Sequence, residues 1–92
     1  MIVNIRHRPL RRFWERGQVR GLNPDWIRRV NRILSVLDQA QSLSEINLPG
    51  FRLHALSGNL SGFHAVTVSA NWRIVFRFDG QDVFDVDLLD YH

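Results

Sequence analysis

The spacing of apolar residues changes once along this chain, from a helical period to a strand period, and that switch leaves few folds open to it. Trp26, Ile27, Val30, Ile33, Leu34, Leu37 and Ala40 recur every three or four residues, as the buried stripe of an amphipathic helix does. After Pro49-Gly50 the period drops to two. Segments 51–56, 63–69, 72–78 and 83–89 read as strands, separated by turn signals at Ser57-Gly58-Asn59, Ala70-Asn71 and Asp79-Gly80. Strands joined by connections this short run antiparallel. Upstream, residues 2–6 can form a short strand and 9–16 a short helix that stops before Gly17. Asn23-Pro24-Asp25 is a helix start, with an N-cap, a proline at the first helical position and an acid in the first turn. That helix is predicted to end near Gln41. The predicted fold is α+β, with two N-terminal helices packed on one face of a small, mainly antiparallel β-sheet.

Ninety-two residues, 45% of them hydrophobic, make a single domain over 1–92. At this size a chain buries roughly 60 to 65% of its unfolded surface, which leaves no room for a deep pocket. Its target is expected to be something larger that completes the site. No apolar run approaches the roughly 20 residues that span a bilayer, and the first residues lack the order of a signal peptide, so a cytoplasmic protein is expected. Cysteine is absent, which excludes disulfides, thiol nucleophiles and zinc-cysteine sites.

Strand alternation sorts the second half into two faces. Trp72, Ile74, Phe76 and Phe78 are predicted to face the core, and Arg73, Val75 and Arg77 the other side. For Phe84, Val86 and Leu88 to join the core face, the last hairpin needs an odd loop, Asp79-Gly80-Gln81, which sets Arg73 opposite Asp87. On the first strand Leu53 and Ala55 go inward, while Arg52 and His54 go out. The outer face is then open and lined by Arg52, His54, Arg73 and Arg77, with Asp90-Tyr91-His92 arriving at one end. A charged, titratable triplet directly after an apolar strand points to a terminus that is held and used.

All twelve basic residues are arginine. Arginine binds phosphate oxygens bidentately and stacks on bases. The charge is also polarised: residues 1–32 carry nine arginines against Glu15 and Asp25, a net of +7, while 79–92 carry five aspartates and no arginine. A basic half of this kind points to nucleic acid. Arg6, Arg8, Arg11, Arg12, Arg16 and Arg20, with Arg28, Arg29 and Arg32 on the water-facing side of the long helix, are expected contacts for RNA phosphates. Trp14, Trp26 and Trp72 are assigned to the core.

Cutting an RNA phosphodiester without a metal needs a base for the 2'-hydroxyl proton, a cation for the charge built up at phosphorus, and an acid for the leaving oxygen. Histidine suits both proton roles. His54 and His92 are the candidates, with Arg73 for the charge, Tyr91 to stack or donate, and Asp90 to orient. The spacing of His7, His54, His64 and His92 has no metal signature, and neither a metal nor another cofactor is expected.

His54-Ala55-Leu56, Gly58, Gly62-Phe63, Asn71-Trp72-Arg73-Ile74-Val75-Phe76 and Asp90-Tyr91-His92 resemble the HigB type of the RelE/ParE toxin superfamily, the plasmid maintenance system killer proteins. The resemblance runs over nearly the whole chain. It implies a RelE-like fold and the toxin of a type II toxin-antitoxin system, a ribosome-dependent mRNA endonuclease working in the small-subunit decoding site. It also implies a HigA-type helix-turn-helix antitoxin, through which alone operator DNA is contacted. His54, Arg73, Asp90, Tyr91 and His92 would inherit the active-site roles, leaving a 2',3'-cyclic phosphate and a 5'-hydroxyl. Two positions depart from the pattern. Ser57 stands where many relatives have lysine, and His64 where tryptophan is common; strand phase can set His64 on the open face as a further proton carrier or rRNA contact. The other readings are a ParE-like gyrase inhibitor and a noncatalytic arginine-rich RNA- or ribosome-binding module. Codon preference, and which histidine is base and which acid, stay open in the sequence.

Overall fold

The computed structural model describes residues 1–90. It contains helices α1 (Arg8–Arg16) and α2 (Ile27–Gln39) and strands β1 (His54–Ala55), β2 (His64–Ser69), β3 (Trp72–Asp79) and β4 (Asp82–Asp90). The strands form one antiparallel sheet in the order β1-β2-β3-β4. The N-terminal segment adds isolated parallel bridges to the outer edge of β4, Ile2 to Val83 and Ile5 to Val86. This is less than the expected strand, but it is tied at both ends: Val3 N–H donates to Val83 O at 2.8 Å and Arg6 N–H to Val86 O at 2.7 Å. No helix among the described residues is long and apolar enough to cross a membrane.

Local chemistry accounts for the helix ends. His7 caps α1, its Nδ1 accepting from Leu10 N–H at 3.2 Å. Gly17 ends α1 in the left-handed conformation, φ 71°, with its N–H donating to Phe13 O at 2.9 Å. Asn23 Oδ1 accepts from Asp25 N–H at 2.9 Å, so the start falls where the sequence sets it. The first turn, Pro24–Trp26, is nevertheless 3-10, and α2 proper begins at Ile27 and ends at Gln39 rather than near Gln41.

The main core joins Leu10 of α1 and Val30, Ile33, Leu34 and Leu37 of α2 to Val66, Val68, Ile74, Phe76, Val83, Val86 and Leu88 of the strands, with Phe51 and Ile46 from the connection. Full burial of each such side chain contributes about 1.5–3 kcal/mol. Trp14, Trp26 and Trp72 pack against this cluster half-buried, and Trp26 and Trp72 meet with ring centroids 5.3 Å apart.

Three expectations about the sheet are corrected. The last hairpin has a two-residue loop, since Asp79 pairs with Asp82, and parity is restored by a bulge on β4: Arg77 faces Phe84, whereas Val75 faces Asp87. Asp85 absorbs the extra residue at φ 54°, which an aspartate tolerates better than most side chains. In consequence Val83, not Phe84, joins Val86 and Leu88 in the core, and Arg73 lies opposite Leu89, not Asp87. The outer face is also not fully open. The loop from Leu56 through the 3-10 turn Gly58–Leu60 to Phe63 folds over it, burying Leu56, Ala65 and Val75 with Leu60, Phe63 and Leu89 packed against them. Finally, β1 is a two-residue strand and its Ala55, expected inward, is exposed.

Candidate active site

Cross-strand partners share a face of the sheet, so register alone maps the outer surface. One row runs His54, Ala65, Val75, Asp87; the next runs Thr67, Arg73, Leu89. His54 and Arg73 therefore sit on the same face, two strands apart and one row apart, which puts their Cα atoms about 12 Å from each other at the usual spacings across and along strands. That gap suits a sugar-phosphate unit held between a proton carrier and a cation. Asp90 ends β4 opposite Trp72, one step out of phase with Arg73 and its partner Leu89. Tyr91 and His92 lie outside the described residues.

His54 is exposed, and its Nδ1 lies 3.0 Å from the Arg52 carbonyl. In the tautomer with the proton on Nδ1, that nitrogen donates to the carbonyl and Nε2 presents a lone pair to solvent. Arg52 directs its carbonyl there from a left-handed backbone, φ 55°. Arg73 is half-buried. Its Nη1 donates to Ala70 O at 2.5 Å and to Trp72 O at 3.2 Å, bracing a tight turn in which Ala70 itself has φ 47°. Its Nε is buried without a hydrogen-bond partner, and so is the hydroxyl of Thr67 directly across the strand pair.

The other expected contacts divide by what their donors already do. Arg29 is corrected: it is half-buried, not water-facing. Its Nε and Nη2 donate to Thr67 O at 3.1 and 2.8 Å, Nη2 also donates to Gly50 O at 2.6 Å, and the guanidinium lies over Phe51. Those donors are spent on the fold. Arg32, an exposed residue, also lies over the Phe51 ring. Arg6 and Arg77 converge on Asp85 at 3.4 and 3.1 Å, and Arg6 stands 5.9 Å from the Phe63 ring centroid. Arg8, Arg11, Arg16, Arg20, Arg28 and Arg52 are exposed and Arg12 is half-buried. His64 is corrected as well. It pairs with Phe76, whose side chain lies in the main core, and stacks on that ring with centroids 6.1 Å apart, so it is on the opposite face from His54 and Arg73.

Among the described residues, two titrations are displaced. Burial lowers His7 below its ordinary 6.5, against an opposing pull from the Asp87 carboxylate. Asp85 is held below its ordinary 3.8, first by the hydrogen bond from Asn4 and then by Arg6 and Arg77, with burial opposing. Residues not singled out in the sequence are also placed here. Thr67 stands on the site face between the core residues Val66 and Val68, a phase that alternation could have signalled. A cleft of about 450 Å³ between the two helices is lined by Phe13, Trp14, Gly17, Ile27, Arg28 and Asn31.

The arrangement of two helices and a four-stranded antiparallel sheet recurs among solved structures. The toxin-antitoxin complex YoeB-YefM from Staphylococcus aureus contains a chain that superposes with a TM-score of 0.60 at 17% identity, over 97% of this chain and 95% of that one. A second structure of a YoeB-YefM complex from the same organism gives 0.59 at 16% identity, over 100% and 95%. The family model for the RelE-like toxin of the type II toxin-antitoxin system HigB matches residues 3–92, and the chain belongs to that family. Endoribonuclease HigB of Proteus vulgaris is 35% identical over 92 residues, the full length of both chains. Toxin HigB-1 of Vibrio cholerae serotype O1 is 31% identical over 80 residues, 85% of this chain and 84% of that one.

Proposed function

We propose that this toxin is an endoribonuclease that cuts mRNA on the ribosome, in the small-subunit decoding site, without a metal. The observation that carries the reading is the shared face of His54 and Arg73, beside the strand that leads into Asp90-Tyr91-His92. The name of the Proteus vulgaris relative supports the activity. In a single 1–92 domain with the helices on one side of the sheet, the part of the other side that the 56–63 loop leaves uncovered is left to RNA, and a face this shallow relies on the ribosome to complete the site.

In the reaction one histidine, His54 through Nε2 or His92, removes the proton of a ribose 2'-hydroxyl. The oxygen attacks the adjacent phosphorus, and the bond to the 5'-oxygen breaks. The other histidine protonates that leaving oxygen, giving a 2',3'-cyclic phosphate and a 5'-hydroxyl. Arg73 meets the charge on the equatorial oxygens, while Tyr91 and Asp90 orient the nucleotide. Exposed arginines of the basic segment, among them Arg8, Arg11, Arg16, Arg20 and Arg28, hold rRNA phosphates.

The natural inhibitor is proposed to be a HigA-type helix-turn-helix antitoxin in the same cytoplasm, docked mainly on the arginine-rich helical side or on an edge strand. The +7 charge of residues 1–32 and the apolar cleft beside Arg28 support the helical side. Expression of the wild type is expected to arrest growth and to give primer-extension stops inside translated mRNA, insensitive to chelator in a purified translation system, while His92→Ala does neither. Equal toxicity of the two, or gyrase trapped on cleaved DNA, overturns the reading.

A further inference from the structure

Among the described residues, three buried side-chain nitrogen or oxygen atoms lack a hydrogen-bond partner: His64 Nδ1, Thr67 Oγ1 and Arg73 Nε. Most buried polar groups are satisfied, so each exception asks for a reason. The last two belong to residues directly opposed across β2 and β3, on the outer face. They are also complementary, because an arginine Nε–H can only donate and a hydroxyl oxygen can accept.

Thr67 is unusually well anchored for such a pairing. Its N–H donates to Phe51 O at 2.8 Å, and its carbonyl accepts from both Nε and Nη2 of Arg29. The β2–β3 pairing shifts register immediately after it. Arg29 in turn is fixed to Gly50 and packed over Phe51. The main chain beneath the Thr67 hydroxyl is therefore held from α2 and from the connection ahead of β1. Arg73 is held differently, through Nη1 on the carbonyls of its own turn, and in that position its guanidinium serves the hairpin.

We infer that Thr67 is a positioning residue for Arg73. When the guanidinium leaves the Ala70 and Trp72 carbonyls for a phosphodiester, its Nε–H donates to Thr67 Oγ1. Both unmet groups are then satisfied, and the Nη1–Nη2 edge is fixed toward the phosphate oxygens. Thr67 touches neither substrate nor leaving group; it sets the plane in which Arg73 acts. The inference rests on the proposed RNA cleavage, and it extends the site into a residue pinned by the helix arginine Arg29.

The test is cleavage of mRNA on programmed ribosomes, with folding checked by thermal melting. Thr67→Val keeps the shape and removes the hydroxyl, and is expected to lower kcat about 10- to 100-fold, the scale of a lost hydrogen bond to a charged group, with KM within about twofold. Thr67→Ser is expected to restore kcat to within about threefold. In an Arg73→Ala background Thr67→Val is expected to add no further loss, because the effect runs through that arginine. Thr67→Val at the wild-type rate, or an additive loss in the double variant, overturns the inference while leaving the nuclease reading intact. Should the wild type not cleave RNA, NMR of the Arg73 Nε–H with a dinucleotide decides separately. Slowed proton exchange on binding, lost in Thr67→Val and kept in Thr67→Ser, supports the pairing; unchanged exchange in all three contradicts it.

Discussion

The two faces of the sheet are built on different terms. On one face Val66, Val68, Ile74, Phe76, Val83, Val86 and Leu88 enter a single apolar core with residues of both helices. On the other face the apolar cluster shrinks to Leu56, Ala65 and Val75 under a short loop, and beside it stand His54, Thr67 and Arg73. The first face holds the fold and the second can be spent on chemistry. Truncations should separate accordingly, costing stability on one side and rate on the other.

The largest effect is expected at Arg73. Arg73→Ala should reduce ribosome-dependent cleavage by about 10²- to 10³-fold, the scale for losing one donor to developing charge. Loss of the turn brace should cost only about 0.5–1.5 kcal/mol in a denaturant titration. Phe76→Ala should do the reverse, destabilising the protein by about 3–5 kcal/mol, with cleavage per folded molecule retained at a temperature where the variant is folded. If Phe76→Ala abolished turnover while folded, the division between the faces would fail.

A smaller effect comes from pH at the edge where the faces meet. Burial disfavours the charged form of His7 in the folded state, so on the acid side of neutrality the folded chain binds fewer protons there than the unfolded chain does. The stability this contributes is complete above about pH 6.5 and is lost as pH falls below that value toward the lower folded pKa. Melting temperature should therefore fall between pH 7.5 and 5.5, and His7→Asn, which keeps a capping acceptor without titrating, should flatten that slope; an unchanged slope would assign it to other groups. Asp85, depressed mainly by Asn4, contributes a separate loss below its ordinary 3.8. The smallest effect is expected at the β2–β3 turn. Ala70→Gly should raise stability by about 0.5–1 kcal/mol, because glycine adopts φ 47° without a Cβ clash. Its cleavage rate should stay at wild type, measured on the same ribosomes.

How much of this was legible in the sequence depends on how local the controlling physics is. Gly17, Asn23-Pro24 and the turn at Ala70-Asn71 act within a few residues, and each falls where the sequence sets it. The last hairpin was misread because Phe84, Val86 and Leu88 alternate cleanly, whereas the fold buries Val83 and spends Asp85 on a bulge. An aspartate at positive φ leaves no mark in a hydrophobic pattern. His64 was set on the wrong face for a related reason. Both faces bury apolar residues, so the phase of Ala65 could not say which was the core, and only the larger Val66 and Val68 reach the helices. The shared face of His54 and Arg73 survives these errors, because it depends on parity within β1 to β3. Arg29 reads as water-facing in the sequence, and Thr67 is not singled out there, because the contact between them is non-local, spanning 38 positions.

One measurement bears most directly on the outer face as the site of RNA cleavage: analysis of the mRNA ends left on programmed ribosomes by the wild type and by His54→Gln. The account expects 2',3'-cyclic phosphate and 5'-hydroxyl ends from the wild type. It expects cleavage at least about 10²-fold slower from the variant, with an unchanged melting temperature, because His54 is exposed and outside the core. A folded His54→Gln protein cutting at the wild-type rate, or 3'-hydroxyl and 5'-phosphate ends from the wild type, would contradict it.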